Sequence, residues 1–419
     1  MKRKLTAAMT CLIGTLTATP STLAQDANVI VEWNQMLQLV APNWRAYAIA
    51  HIAMFDAVNS VEGKYTPYRM FVPHAFDASP EAAAAQAARD VLAFLFPAQR
   101  QTFNNLLASQ LVGLPAGRLQ EGRTVGARVA QAVLAWRNDD GWPAAVSPDP
   151  VFVLPPFPGL WQPAPPANSL AMFTFYPNAL PFALETSTQF LPTPPPELNS
   201  ERYAADFNET KELGAVDSLT RTPEETLLAQ LFTGVNTIPA GPILFTNAWN
   251  NVARDVAQER GLNLVDTARL FALLNVSLND ALQTSFTSKF VYRFWRPVTA
   301  IRRADEDLND ATIADPDWTP FLATPPYPTY AGNAACLAAA SARALELVFG
   351  PDDIPFSVTW VLTTGDPVTR EFRSFSELAE KQARSRIHGG IHFQFDSDAS
   401  LAVCPQVAEF VHANYMTPR

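Results

Sequence analysis

Cysteine and histidine are scarce in this chain, with three and five among 419 residues. Cys11 lies in the leader described below, so Cys336 and Cys404 remain. They form either one disulfide or two buried thiols on helices, since pairing needs a geometry that sequence does not display. Positive charge is short as well. Thirty Lys and Arg face forty Asp and Glu, a net charge of −10, which argues against a nucleic-acid partner. After the leader no apolar run approaches the ~18 residues of a membrane span. No repeat of fixed period and no strand-rich region is present. The segment VTWVLTT at 358–364 is the best strand candidate and is expected to stand nearly alone. The acidic stretch ADEDLNDATIADPD at 304–317 lacks the central glycine and late glutamate of a calcium loop, so it reads as a solvated connection.

Residues 1–24 have the layout of a secretory signal. Lys2, Arg3 and Lys4 start it, an apolar run continues to Leu16, and Thr22-Leu23-Ala24 resembles a cleavage site. The expected location is therefore secreted or periplasmic, and losing three cations takes the net charge from −10 to −13. The rest divides by composition into a helical region at 25–142, a Pro-rich segment at 143–215 and a helical region at 216–419.

Helical spacing is read at 27–61, where Val31, Trp33, Met36, Leu37 and Val40 make an apolar stripe, and again at 80–96 and 99–137. Arg45, His51, Asp56 and Asn59 fall among small apolar residues. They read as core polar groups satisfying one another, with support of a distant site as the alternative. Between 143 and 196 lie fifteen of the 36 prolines, which excludes long helices. Phe152, Phe157, Trp161, Phe173, Phe175 and Tyr176 argue against free disorder there. An ordered wrapping segment that walls a site is expected. Helices resume after the cap Thr222-Pro223-Glu224-Glu225 and are expected at 243–261, 265–286, 287–296, 333–349, 374–386 and 399–414. The fold class is all-α.

Chemistry concentrates in Ser385 to Asp396, SRIHGGIHFQFD. Arg386 and His392 would point about 120° apart on one helix. Gly389 and Gly390 allow a break, so Arg386 can close one helix and His392 open the next, both facing a small anion. Asp396, four residues after His392, can hold one ring nitrogen and leave the other free. In KFVYRFWRP, Lys289 and Arg296 are seven apart, two turns along one helix face, with Pro297 at its end. In Tyr330-Ala331-Gly332-Asn333 a loop enters a helix N-terminus, a place suited to an anion. Taken singly, each group has an ordinary explanation: a snorkelling pair, a helix-end cation, a core histidine, an asparagine cap. His388, two residues from Arg386, reads as packing behind the site or as a substitute proton carrier.

This order of K-x6-RP, a four-residue loop and SR-x5-H-x3-D resembles the vanadium-dependent haloperoxidases and type 2 phosphatidic acid phosphatases. AMFDAVNSVEGKYTPY, RYAADFNETKELG and ARLFALLNVSLNDA are similar to the secreted bacterial haloperoxidase-like branch. The resemblance implies packed helical bundles with a long ordered Pro-rich segment. It implies that Lys289, Arg296 and Arg386 bind an oxyanion, that Gly332 donates its backbone N–H, and that His392 is the vanadate ligand or the nucleophile toward phosphate. Vanadate is the expected group, phosphate the alternative occupant, and neither haem nor a nucleotide cofactor is expected. A small molecule or phosphate ester is the implied substrate, and a homodimer is compatible with it. The family reads Pro-Ser-Gly-His where this chain has Tyr330 to Asn333. Ala331 therefore lacks the serine hydroxyl, and Asn333 cannot transfer a proton near neutral pH. Weak or altered peroxidase activity is expected. Slow ester hydrolysis and anion binding without turnover are the alternatives.

Overall fold

The computed structural model describes residues 28–41, 43–238 and 243–419. The leader expected at 1–24 lies outside them. Among the described residues the chain is helical with one small sheet, in keeping with the all-α expectation. The N-terminal helices are α1 (Val29–Val40), α2 (Trp44–Glu62), α3 (Pro80–Leu95), α4 (Arg100–Gln110) and α5 (Ala116–Trp136). Asn28, Asn43 and Ser79 each cap a helix by accepting a hydrogen bond from its first turn. Small residues let α3 and α5 pack closely, and a Cβ at Gly122 or Gly126 would strike the α3 backbone.

The helix α9 (Leu264–Tyr292) is the axis of the fold. Every residue from Leu270 to Phe290 is buried, as expected of a helix wrapped on all sides. It packs on α2 and on α11 (Asn333–Phe349), which in turn packs on α12 (Phe375–His388) and α13 (Gln394–Asn414). One apolar core runs through all of these helices. The expectation of separate helices at 265–286 and 287–296 is corrected. α9 runs unbroken to Tyr292, where Arg293 turns left-handed at φ 55° and the chain leaves the axis. Helix α13 starts five residues before the expected 399.

The polar residues of α9 position loops. Asp280 accepts the backbone N–H groups of Phe182, Ala183 and Leu184 at 2.7–3.0 Å. Gln283 donates to the carbonyls of Tyr176 and Ala179. These bonds satisfy buried backbone groups in the Pro-rich segment, which cannot bond to itself as a helix would. Trp161 and Tyr176 are buried there, while Phe157 is exposed. The chain is stitched onto α9's end by Trp161 N–H to Arg293 O and Trp295 N–H to Gly159 O.

The remaining helices are α6 (Glu201–Leu213), α7 (Pro223–Leu231), α8 (Ile243–Glu259) and the short α10 (Pro297–Arg302). Thr222 and Glu225 form the capping box of α7. The strand candidate at 358–364 is not solitary. β2 (Phe356–Leu362) pairs antiparallel with β3 (Pro367–Phe372), opposing Val358 to Arg370, and with β1 (Thr237–Ile238). The Thr-Gly-Asp turn between β2 and β3 makes the pairing, and the isolated run did not disclose its partner.

Of the N-terminal polar group, Arg45 pairs with Asp140, His51 bonds Asn34, Asp56 holds the backbone at Tyr68 to Met70, and Asn59 holds Tyr65. These bonds knit the bundle together. Cys336 of α11 and Cys404 of α13 form a disulfide, with their Cα atoms 5.2 Å apart.

Candidate oxyanion site

Three loops meet where α9 ends, α11 begins and α12 gives way to α13. Helix α12 stops at His388 and α13 starts at Gln394, so His392 sits in the connection. Gly390 has φ +70°, a backbone region that side chains avoid, and a Cβ there would overlap the Gly214 carbonyl. That turn reverses the chain and aims His392 back toward Arg386.

His392 is fully buried. Its Nδ1 lies 2.9 Å from Asp396 Oδ2 and 3.1 Å from Thr329 Oγ1, and Arg296 Nη1 lies 3.3 Å from Nε2. Arginine only donates, so Nε2 is an acceptor and the proton resides on Nδ1, directed at Asp396. Burial, then the charges of Arg296, Lys289 and Arg386, hold the His392 pKa well below its ordinary value. The imidazole is therefore neutral with a lone pair on Nε2. Asp396 Oδ2 also accepts from Thr329 Oγ1 at 2.5 Å and from the Phe393 N–H at 3.0 Å. Burial raises the Asp396 pKa to about 6, against the lowering effect of Thr329 and Lys289.

Lys289 and Arg296 converge, but not along one helix face. Lys289 is in the last turn of α9, and Arg296 precedes α10 in extended conformation. The left-handed Arg293 between them redirects the chain. Their charged ends lie 5.4 and 4.9 Å from the ring centre of Tyr327. Lys289 Nζ donates to Thr329 O at 2.6 Å, leaving two of its N–H groups for other use. Burial and the neighbouring Arg296 depress the Lys289 pKa well below normal. Burial pushes Arg296 and Arg386 down to about 10. Among the described residues, Arg296 Nη2, Arg386 Nε and Arg386 Nη1 are buried without a hydrogen-bond partner, as is Asp396 Oδ1. Unpaired buried donors on cations are costly, and an anion is the group that would satisfy them.

The four-residue loop is held by α9. Ser288 Oγ accepts the Ala331 N–H at 2.8 Å, and Ser285 donates to the Ala331 carbonyl. Gly332 departs from expectation, because its N–H is committed to the Asp396 carbonyl at 3.0 Å and is not free for an anion. The loop is pinned to α13 there, and Ser400 bonds the Gly332 carbonyl at 2.8 Å. Asn333 is the first residue of α11, with Gly332 in the capping position. Its Nδ2 donates to the Tyr327 hydroxyl at 3.3 Å.

His388 points elsewhere. It is buried beside Glu225, with Nε2 to Oε1 at 3.4 Å, and burial lowers its pKa to about 4. Thr329, Tyr327, Ser285 and Ser288 were not singled out from the sequence. The only trace of the first two was their place in TPPYPT, directly before the loop motif.

The Pro-rich segment reaches this region. Met172 N–H bonds Pro326 O, Phe173 packs 5.9 Å from Tyr327, and the hydroxyls of Tyr292 and Tyr330 bond the carbonyls of Pro192 and Thr193. A cavity of about 420 Å³ between residues 164–169 and 319–326 shares Pro326 but none of the buried cations. Among the described residues no group of three or more His, Cys, Asp and Glu could hold a metal cation. The donor set is cationic and suits a metal delivered as an oxyanion.

Residues 269–418 match a family model described as the VCPO second helical-bundle domain. Vanadium chloroperoxidase from Curvularia inaequalis is 25% identical over 286 residues, covering 54% of this chain and 46% of that protein. The match thus spans about half the length of that relative. Among solved structures, the first bacterial vanadium-dependent iodoperoxidase superposes with a TM-score of 0.75 at 21% identity, covering 94% of this chain and 96% of that one. The holo-type bacterial vanadium-dependent chloroperoxidase does so at 0.69 and 17%, over 93% and 91%. At these identities the structural likeness is one of fold.

Proposed function

We propose that this chain is a vanadium haloperoxidase-like protein that binds vanadate or phosphate and has weak or altered peroxidase activity. The observation that carries the reading is the set of buried guanidinium donors without partners, Arg296 Nη2 and Arg386 Nε and Nη1, gathered around a neutral His392. When bound, vanadate would supply Lewis-acid activation of peroxide toward halide. Lys289, Arg296 and Arg386 would spread the charge of the oxyanion. His392 Nε2 would be the ligand, with Asp396 and Thr329 fixing its tautomer. Asn333 offers no titrating group where the family has its acid–base histidine. General acid–base help is worth about 10²–10⁴-fold, so turnover is expected to be slow.

A second reading is phosphate-ester hydrolysis. It is supported by the same observation on His392, because a neutral imidazole with its lone pair on Nε2 is also the form that attacks phosphorus. Esters with good leaving groups, which need least protonation, would be the substrates.

The test is metal analysis of anion-stripped protein after incubation with orthovanadate and gel filtration. One vanadium per chain, displaced by phosphate, is expected. Absence of retained vanadium together with absence of phosphate binding refutes the reading. Asn333→His separates catalysis from binding. A rise of about 10²-fold or more in dye bromination or ester hydrolysis indicates that only the proton carrier was missing. No gain, with anion binding intact, favours a binding protein.

A further inference from the structure

Tyr327 belongs to none of the motifs, yet it stands among the buried cations. Its ring faces Lys289 and Arg296, and its hydroxyl is within electrostatic reach of Arg296 and Arg386. Phe286 meets the ring edge to face at 5.1 Å and Phe173 at 5.9 Å, so apolar walls fix where the hydroxyl points. Asn333 Nδ2 donates to the hydroxyl oxygen. An amide NH₂ has no acceptor, so the phenol oxygen accepts there and its own proton must go elsewhere. Lysine and arginine have donors only, and among the described residues the phenol donates to no protein group. A bound anion would supply that acceptor.

We infer that Tyr327 is an oxyanion-contact residue, donating its O–H to the anion held by Arg296, Arg386 and His392, with Asn333 as the positioning residue that turns the phenol proton inward. The inference rests on the oxyanion reading above. It gives the site a hydroxyl in place of the one that Ala331 lacks, supplied from the preceding loop. It also gives Asn333 a task of its own. The amide holds the phenol in the donor orientation, which a freely protonating side chain would not do at every pH.

The test compares the full-length protein with Tyr327→Phe, Asn333→Ala and the double variant. Dissociation constants for orthophosphate and orthovanadate are measured by calorimetry. Tyr327→Phe keeps the ring against both cations and removes only the donor. A loss of about ten- to a hundred-fold is expected for both anions, as for one hydrogen bond to a charged acceptor. Asn333→Ala should lose less, and the double variant should bind no more weakly than Tyr327→Phe, since Asn333 acts through the phenol. Phosphate is transparent in the near ultraviolet, so its binding to the wild type should produce a tyrosine difference band that Tyr327→Phe abolishes. Binding by Tyr327→Phe within about two-fold of wild type, or additive losses in the double variant, overturns this inference and leaves the oxyanion reading in place. Wild-type protein that binds neither anion overturns both. If Tyr327→Phe does not fold, the wild-type difference band decides, its presence supporting the phenol contact and its absence refuting it.

Discussion

Replacing Arg386 by methionine should stabilise the anion-free protein while weakening its binding of anions. Arg386 lies in the last turn of α12, buried, with Nε and Nη1 unpaired and the Phe245 ring 5.6 Å from its charged centre. Burial, followed by repulsion from Arg296, pushes its pKa down to about 10. Keeping it charged there costs about 3 kcal/mol, at roughly 1.4 kcal/mol per pH unit of depression. The helix C-terminus returns only about 0.3–1 kcal/mol of this. Methionine fills a similar volume against Phe245 with no charge to desolvate, and such exchanges stabilise by about 1–4 kcal/mol. A gain of about 2 kcal/mol is therefore expected in phosphate-free buffer, read from urea unfolding by tryptophan fluorescence. Two charge-assisted hydrogen bonds are lost to the anion, each worth about 1.5–3 kcal/mol, so phosphate affinity should fall by about 10²–10⁴-fold. Phosphate at a hundred times the wild-type dissociation constant adds about 2.7 kcal/mol to the wild type and almost nothing to the variant. The order of stabilities should then cross. A variant less stable than wild type without anion, or one that binds phosphate unchanged, would refute the argument that these donors await a ligand.

Other outcomes follow from the same geometry. His392→Ala should reduce orthovanadate affinity more than orthophosphate affinity in calorimetry, because on the proposed reading Nε2 would bond to vanadium but not to the phosphorus of inorganic phosphate. Equal losses would argue for His392 as a hydrogen-bonding group alone. Asp280→Ala leaves the three N–H groups of Phe182 to Leu184 buried without an acceptor. A loss of about 3 kcal/mol or more is expected, with faster protease cutting between 143 and 196 than in wild type. Paired replacement of Cys336 and Cys404 by alanine opens a link across 68 residues and should lower stability by about 4 kcal/mol in thermal melts.

The helices were legible because their signals are local. Thr222 to Glu225 carries its capping box in four residues, and the alanine-rich run from Asn333 to Phe349 was delimited as α11 is found. The site was legible in part, for the same reason. Arg386, His392 and Asp396 lie within eleven residues, and the Gly-Gly break between them announces a turn. Lys289 and Arg296 were paired by a helical spacing that the chain does not keep. They meet because Arg293 turns left-handed, a conformation its side chain does not advertise. Gly332 was assigned a free N–H, but the acceptor that claims it is a carbonyl 64 positions away in sequence, at Asp396. Tyr327 and Thr329 carry no signal in the sequence, because proline-rich loops have no period to read. Their importance comes from what α9 and α13 place beside them.

Gly214 and Gly390 are each held to glycine by more than the contact between them. A Cβ at either would run into the other's backbone, although the two are 176 positions apart. Gly214 has an ordinary right-handed conformation, φ −87°, so its requirement for glycine comes from close backbone, the Gly390 Cα and the Thr210 carbonyl of its own helix. Gly390 has a requirement of its own in its positive φ, and that requirement would persist if α6 moved away. Displacing α6 would therefore free neither position, since Thr210 moves with Gly214 and the positive φ stays with Gly390. The turn that aims His392 is thereby closed to side chains from both sides of the contact.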